Sequence, residues 1–167
     1  IKYTLEDCHS ETTLRFRPFL AFRSVKELTH ANGDANQSYQ EVTNGIKTCM
    51  YPGYPELYMQ FNKKVKFVYE PYWYNGIEYP KEQERGYPYQ EDLYVPGYFE
   101  VSIKKGESIY FSAGDTAVAT TRMKSLYEKE VSQRTPRTSF FNCLKNSAQQ
   151  VYYRPNEDDA YLLAGYP

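Results

Sequence analysis

The side chains with the clearest chemical potential lie between Phe67 and Phe99, where acidic and basic residues alternate with aromatic rings. Two carboxylates on either side of a glycosidic bond, roughly 5 to 10 Å apart, are the minimum equipment of a glycoside hydrolase. Charged side chains in loops are more often simply solvated, so a catalytic pair within this segment is the less favoured interpretation. The carboxylates that could supply such a pair are Glu78, Glu82, Glu84, Glu91 and Asp92.

The same segment holds the only tryptophan of the chain, Trp73, among an unusual density of tyrosines. Tyrosine and tryptophan rings present an apolar face together with a polar edge. Flat rings suit the apolar faces of pyranose sugars, and fixed carboxylate and guanidinium groups suit their hydroxyls. The segment is therefore a candidate sugar-recognition surface, although Trp73 is equally compatible with a place in the core.

Proline, glycine and asparagine interrupt this segment and predict short extended pieces separated by turns. Glu84-Arg85-Gly86 predicts an ion pair at one of these turns, with Gly86 in a backbone conformation that other residues resist. The interrupting residues are Pro71, Asn75-Gly76, Pro80, Gly86, Pro88 and Pro96-Gly97.

The composition excludes several classes of function. The 167 residues suffice for one domain with its own core, and a net charge of -1 gives no basic surface for nucleic acid. No apolar run approaches the ~20 residues of a membrane span. The three cysteines are far apart and form no metal-binding pattern, so we expect no metal and no cofactor. Free thiols are typical of a reducing compartment, and we expect a cytoplasmic protein.

Alternating apolar residues predict a mainly β fold, an antiparallel β-sandwich over residues 1–116. Pro18 within the first strand predicts either an edge position for that strand or a bulge. Lys104-Lys105-Gly106 predicts the turn of a β-hairpin. The predicted strands are Thr12–Arg23, Ile46–Tyr51, Leu57–Phe61, Val65–Tyr69 and the hairpin Phe99–Phe111, with an exposed loop at His30–Gln40.

The pattern changes to helical spacing near Ala117, and residues 117–167 are predicted to be a helical linker, with the boundary between Ser112 and Thr120. One helix is expected from Thr121, capped by Thr120 or Thr121, and a second from Ser139 to Arg154, stopped by Pro155. The first residue, Ile1, and the apolar run Ala160–Pro167 indicate that the natural protein extends beyond this sequence in both directions.

Several runs of the sequence resemble the bacterial and archaeal type of glycogen debranching enzyme, in its N-terminal domain and the linker that follows. The closing LLAGYP is similar to the tract just ahead of the catalytic barrel of such enzymes. The resemblance covers most of the chain, but the family's Gly-rich opening section is not in this sequence. The runs are Leu14–Thr29, Tyr54–Phe61, Trp73–Glu100 and Phe140–Arg154.

The resemblance implies an amylo-α-1,6-glucosidase in which a β-supersandwich precedes an (α/α)6 barrel that carries both catalytic carboxylates. This chain then holds part of the supersandwich and the linker helices, with no catalytic residues of its own. It would help to hold an α-glucan, such as glycogen or limit dextrin, and would brace its own catalytic barrel. The candidate contacts with sugar, or across the domain interface, are the rings of Tyr72, Trp73, Tyr74 and Tyr79 and the charges of Glu84, Arg85, Glu91 and Asp92.

Two alternatives remain open from the sequence. An independent carbohydrate-binding β-sandwich module would use the same rings without an attached hydrolase, but the two linker-like helices speak against it. A mutarotase-like enzyme on the same sandwich needs a histidine pair with a carboxylate. His9 and His30 are isolated in polar surroundings, which makes the mutarotase the least favoured interpretation.

Overall fold

The computed structural model describes residues 1–163, and the chain divides into two compact units between Lys124 and Ser125. The first unit is built of antiparallel strands, and helices dominate the second. The predicted class, a mainly β antiparallel sandwich followed by two helices, is confirmed. The predicted domain boundary between Ser112 and Thr120 stays a prediction.

Two sheets make up the first unit. One has five strands in the order β1-β8-β5-β4-β3, and the other has three in the order β2-β7-β6. All pairings are antiparallel. The strands are β1 (Lys2–Thr4), β2 (Thr12–Phe16), β3 (Gln40–Val42), β4 (Gly45–Thr48), β5 (Leu57–Phe61), β6 (Lys66–Glu78), β7 (Gln90–Ile103) and β8 (Ser108–Gly114), with a short helix α1 (Pro80–Glu84) between β6 and β7.

The core lies between the two sheets and is centred on Phe61 of β5, which is fully buried. Its ring centroid is 5.1 Å from that of Phe99 on β7, 5.2 Å from Phe16 on β2 and 4.9 Å from Phe111 on β8. Aromatic pairs at such distances stabilise a core beyond the area that they bury. The two sheets are therefore joined by interlocking phenylalanine rings.

The segment from Phe67 to Phe99, which we call the organising segment, lies mostly in one long ribbon of two paired strands, β6 and β7. The prediction of short pieces separated by turns is therefore wrong for most of it. Pro71 and Gly76 lie where the register shifts, after Tyr69 and after Tyr74, and the ribbon accommodates them as irregularities. Gly97 has a φ of +144°, and a Cβ there would lie 2.1 Å from the carbonyl oxygen of Val68. Pro71, Gly76 and Gly97 therefore make the ribbon irregular without ending it.

The predicted hairpin between Phe99 and Phe111 is also wrong, although its strands and turn are present. The chain turns at Lys104–Glu107, with Gly106 at a φ of +76°, but β7 and β8 belong to different sheets. The connection carries the chain across the core from one sheet to the other. Alternation identifies a strand and its buried face, but it does not identify the neighbouring strand.

Other strand predictions fared better. β2 is an edge strand as predicted, and it ends at Phe16, ahead of Pro18, which cannot donate to a ladder. β5 has the predicted bounds, whereas β4 ends at Thr48, short of the predicted Tyr51. The segment from His30 to Tyr39 is an exposed loop for most of its length.

The second unit holds most of α2 (Met123–Gln133), all of α3 (Phe140–Gln150) and a small ribbon of β9 (Tyr152–Tyr153) with β10 (Tyr161–Leu162). A 3-10 turn, Thr120–Arg122, precedes α2, and its N-cap is Ala119, so the predicted threonine cap is wrong. The hydroxyl of Ser139 accepts from the backbone N–H of Asn142 at 3.2 Å and caps α3.

α3 ends at Gln150, with Val151 as its C-cap, so Pro155 does not terminate it as predicted. The two residues that follow pair with β10 instead of extending the helix to Arg154. From Ala164 onward, the predicted closing run lies outside the described residues.

Candidate functional site

The eight predicted site residues lie in four places in the first unit. Glu91 and Asp92 of β7 bind the loop that contains residues 23–31, and Tyr79 donates a hydrogen bond to Glu91. Tyr72 and Tyr74 lie on the outer face of the three-stranded sheet, Trp73 packs towards the core, and Glu84 and Arg85 lie on or beside α1. The sequence analysis had treated all eight as one set of candidate contacts, either with sugar or across the domain interface.

Glu91 is a fully buried carboxylate at the start of β7. Arg23 donates to it through two nitrogens, with Nε to Oε2 at 2.7 Å and Nη2 to Oε1 at 2.9 Å. The Tyr79 hydroxyl and the backbone N–H of Thr29 also donate to this carboxylate. A bidentate guanidinium contact is among the strongest hydrogen-bonded ion pairs in proteins.

Electrostatics keeps this cluster ionised. Burial alone would raise the pKa of Glu91, but the hydrogen bonds from Arg23, Tyr79 and Thr29 outweigh burial and hold the pKa below its ordinary value. The pKa of Tyr79 is raised by burial and by its hydrogen bond to Glu91. A general acid needs a raised carboxyl pKa, so Glu91 does not have the character of one.

Asp92 fixes backbone on both sides of β7. Its Oδ2 accepts from the backbone N–H of Ala31 and its Oδ1 from that of Gly76, both at 2.8 Å. These backbone donors, with a smaller effect of His30, lower the pKa of Asp92. The carboxylate therefore joins the loop after β2 to the second irregularity of β6.

Tyr72 and Tyr74 form an aromatic row on the outer face of the three-stranded sheet. Their hydroxyls lie 2.5 Å apart and their ring centroids 4.7 Å apart. Arg17 donates to the Tyr72 hydroxyl and lies over the rings of Tyr72 and Tyr98, at 5.3 and 5.1 Å from the centroids. Phe19 continues the row, 4.5 Å from Tyr74. We call Arg17, Phe19, Tyr72, Tyr74 and Tyr98 the outer row.

Trp73 points to the opposite face because side chains alternate along a strand. Its ring meets that of Tyr94 edge-on at 5.5 Å, and it packs against the buried core. Tyr94 is fully buried, and burial raises its pKa to about 12. Trp73 therefore supports the sheet from inside while its neighbours face outward.

Glu84 and Arg85 are exposed at the end of α1. The predicted ion pair between them is not formed, because Arg85 pairs with Glu82 at 3.0 Å and Glu84 pairs with Lys81 at 2.8 Å. These pairs span three positions along the helix, the spacing at which helical side chains are neighbours. Gly86 has a φ of +77°, as predicted from its place in the turn.

Sequence reasoning missed the residues that complete these clusters, Arg17, Phe19 and Arg23. All three lie in the run from Leu14 to Arg23, which alternation assigned to a strand. The signal that could have identified them was the regular spacing of arginines among aromatic residues in that run, which favours stacking of guanidinium groups on rings.

Within residues 1–163 no group of three or more His, Cys, Asp or Glu side chains could hold a metal ion. All three cysteines are free and half-buried. Among the helices of the described residues, none has the length and apolarity to cross a membrane.

Comparison with known proteins yields one match. The family described as "Glycogen debranching enzyme N terminal" matches residues 1–110, about two thirds of the chain. No curated protein and no solved structure gave a significant match. The matched range includes every predicted site residue and all strands of the first unit, with β8 included only as far as Tyr110.

Proposed function

The chain belongs to the glycogen debranching enzyme N-terminal family, and on that premise we propose that it is a non-catalytic region of such an enzyme. It helps to hold the α-glucan substrate and braces a catalytic domain of the parent protein. The parent is a glycoside hydrolase of the amylo-α-1,6-glucosidase type, acting on glycogen or limit dextrin in the cytoplasm.

The observation that carries the non-catalytic role is the engagement of the carboxylates in the organising segment. Glu91 is buried against Arg23, and both oxygens of Asp92 accept from backbone N–H groups. Glu82 and Glu84 pair with neighbours on a short exposed helix. A hydrolytic pair needs two carboxyl groups that face a substrate between them. We therefore assign the catalytic acids to another part of the parent protein.

Of the predicted set, the half-buried rings on the outer face of the sheet and the exposed charges at α1 make the glucan contacts. The rings of Tyr72 and Tyr74 offer stacking surface on the outer row, and Glu84 and Arg85 offer polar groups on α1. The other four residues act indirectly. Trp73 supports the sheet under the outer row, and Tyr79, Glu91 and Asp92 hold the adjoining loop in place.

The bracing role is supported by the apolar face of α3. Phe140 is 80% exposed, Phe141 72% and Leu144 54%. Apolar side chains at this spacing on one helix need a partner surface. On the basis of the family, we assign this partner surface to a catalytic domain of the same protein. An independent carbohydrate-binding module, the alternative, would have no use for this face.

The decisive test measures binding and hydrolysis separately on the purified chain. Binding is read as retarded migration in native gels that contain glycogen, and hydrolysis as glucose released from limit dextrin. We expect retardation without glucose release. Tyr72→Ala should weaken the retardation. Tyr153→Ala, which removes an exposed ring of the second unit, should not.

Glucose release at an enzymatic rate would refute the non-catalytic role. Unretarded migration of the wild-type chain would refute the glucan-binding role. The bracing role is tested by adding the downstream part of the parent protein in trans. Phe140→Ser with Phe141→Ser should abolish its co-purification with this chain.

A further inference from the structure

A groove of about 380 Å³ lies in the first unit beside the outer row. One wall is the segment Phe19–Arg23, which follows β2. The others are the chain that leads into β5, from Tyr54 to Leu57, and the end of β8 at Gly114 and Asp115. The volume falls within the range of about 300–1,000 Å³ that is typical of small-molecule sites.

The groove is lined by three aromatic rings, two of which are exposed to solvent. Phe19 is 45% exposed and Tyr54 is 42% exposed. Phe22 meets Tyr54 edge-on, with centroids 6.4 Å apart. Phe19 also lies 4.5 Å from Tyr74, so the rings of the groove continue the outer row. Clustered exposed rings in a concave site mark ligand-binding surfaces.

The polar groups of the groove select the class of ligand. Arg23 is held by Glu91, and Glu56 is held by Lys47 and Tyr58. Asp115 is exposed, and within residues 1–163 it has no hydrogen-bond or ion-pair partner. The unengaged group is thus a carboxylate, which accepts hydrogen bonds from hydroxyl groups. Rings with a free acceptor suit a polyhydroxylated ligand better than an acidic peptide.

The geometry points to a glucan subsite in this groove, in which glucosyl rings stack on Phe19 and Tyr54 and a sugar hydroxyl donates to Asp115. The assignment rests on the proposed function, because the choice of a glucan as the ligand comes from the family to which the chain belongs. It adds a second site, which the predicted residues do not include, and it extends the outer row around the edge of the sheet.

The test is calorimetric titration of the full chain with maltoheptaose, with cellohexaose as a control for the glycosidic linkage. Phe19→Ala, Tyr54→Ala and Asp115→Ala are each expected to weaken maltoheptaose binding about tenfold, equivalent to about 1.4 kcal/mol. Asp115→Asn retains an acceptor and should lose less than Asp115→Ala. Tyr153→Ala, which removes an exposed ring of the second unit, is the matched control, and its affinity should equal that of the wild type.

Folding does not confound the result, because Asp115 makes no contact whose loss could unfold the chain, and Trp73 fluorescence verifies the core of each variant. If the wild-type chain binds maltoheptaose and the three groove variants bind it equally well, the subsite is wrong and the proposed function stands. A wild-type chain that binds no glucan overturns both. Groove variants that alter the sedimentation of the chain without altering glucan affinity identify a protein contact and overturn the subsite.

Discussion

The ion pair between Arg23 and Glu91 provides the sharpest test of the architecture. Arg23→Met keeps an apolar stem comparable to the aliphatic part of arginine but removes the guanidinium. Glu91 then retains the hydrogen bonds from Tyr79 and Thr29 but has no counter-charge. Its side chain is 0% exposed and that of Arg23 is 19% exposed, so water cannot replace the lost donors at the carboxylate.

Removing one partner of a buried ion pair typically costs about 3 to 5 kcal/mol, because it leaves an uncompensated charge. We expect Arg23→Met to lower the free energy of unfolding by about 3 kcal/mol, at the lower end because Arg23 is partly exposed. Glu91→Gln should cost less, because the amide still accepts from Tyr79 and the unpaired Arg23 can reach water. The double variant Arg23→Met with Glu91→Met should recover part of the loss, since it removes both charges.

The assay is urea denaturation followed by tryptophan fluorescence. Trp73 is the only tryptophan and packs against Tyr94, so its emission reports on the first unit alone. Arg15→Met is the matched control, because Arg15 pairs with Glu100 on the exposed face and surface pairs contribute about 0 to 1 kcal/mol. A loss below about 0.5 kcal/mol for Arg23→Met would refute the reasoning.

The pH dependence of the same variant follows from the sign of the pKa shift. The pKa of Glu91 is lowered in the folded chain, so its stabilisation is present above the unfolded pKa of about 4.3 and is lost as the pH falls through the folded pKa. Without Arg23, only the hydrogen bonds from Tyr79 and Thr29 oppose the effect of burial on the charged form, and protonation relieves that effect. The stability difference between wild type and Arg23→Met should therefore narrow as the pH falls from about 6 to about 4. A difference that widens over this range contradicts the assignment.

Three further predictions concern single side chains. Gly97→Ala should lower the free energy of unfolding by about 3 kcal/mol or more, because its Cβ would overlap the Val68 carbonyl. Gly33→Ala has open space around it and should cost under about 0.5 kcal/mol, as measured by urea denaturation. Tyr94→Phe should stabilise the first unit by up to about 1 kcal/mol in the same assay, because the buried Tyr94 hydroxyl has no partner within residues 1–163; a loss would reveal one. Ser139→Ala should cost about 1 kcal/mol of helix stability in α3 and lower the ellipticity at 222 nm on mild heating, whereas Ser139→Asp should not.

The sequence predicted the positions of the strands better than it predicted which strands pair with each other, and the hairpin shows why. The apolar alternation through Phe99, Val101 and Ile103 identifies a strand with one buried face, and this is what the structure has. The pairing of β7 with β2 and β6, rather than with β8, is set by contacts between residues far apart in sequence. Such contacts leave no local pattern, because alternation has the same period in every strand.

The long ribbon was missed for a different reason. Pro71 and Gly76 are residues that usually end regular structure. In the folded chain they lie at register shifts, where an irregular backbone is compatible with pairing on either side. The packing of Trp73 and Phe67 against the core outweighs the local preference for a turn.

For the candidate site, the sequence identified residues that make specific contacts, but it did not identify their partners. Glu91 and Asp92 are adjacent, so the pattern treated them alike as surface carboxylates. In the structure they point to opposite sides of β7, one to Arg23 and the other to Ala31 and Gly76. A buried carboxylate contacts other groups of the protein, whereas an exposed one can contact a ligand. Whether a charged residue is buried depends on the partners that the fold brings to it, and these are not visible in the local sequence.

The internal ion pair and the proposed sugar-binding surface are nevertheless coupled. Arg23 forms one end of the groove wall and is fixed by Glu91, while Thr29 and Ala31 tie the following loop to β7. An aromatic side chain binds a sugar well only when its own position is fixed before binding, because ordering a loop on binding costs free energy. On the proposed function, Glu91 and Asp92 therefore contribute to glucan recognition without touching the glucan. They hold in place the segment from Phe19 to Arg23, whose side chains line the groove.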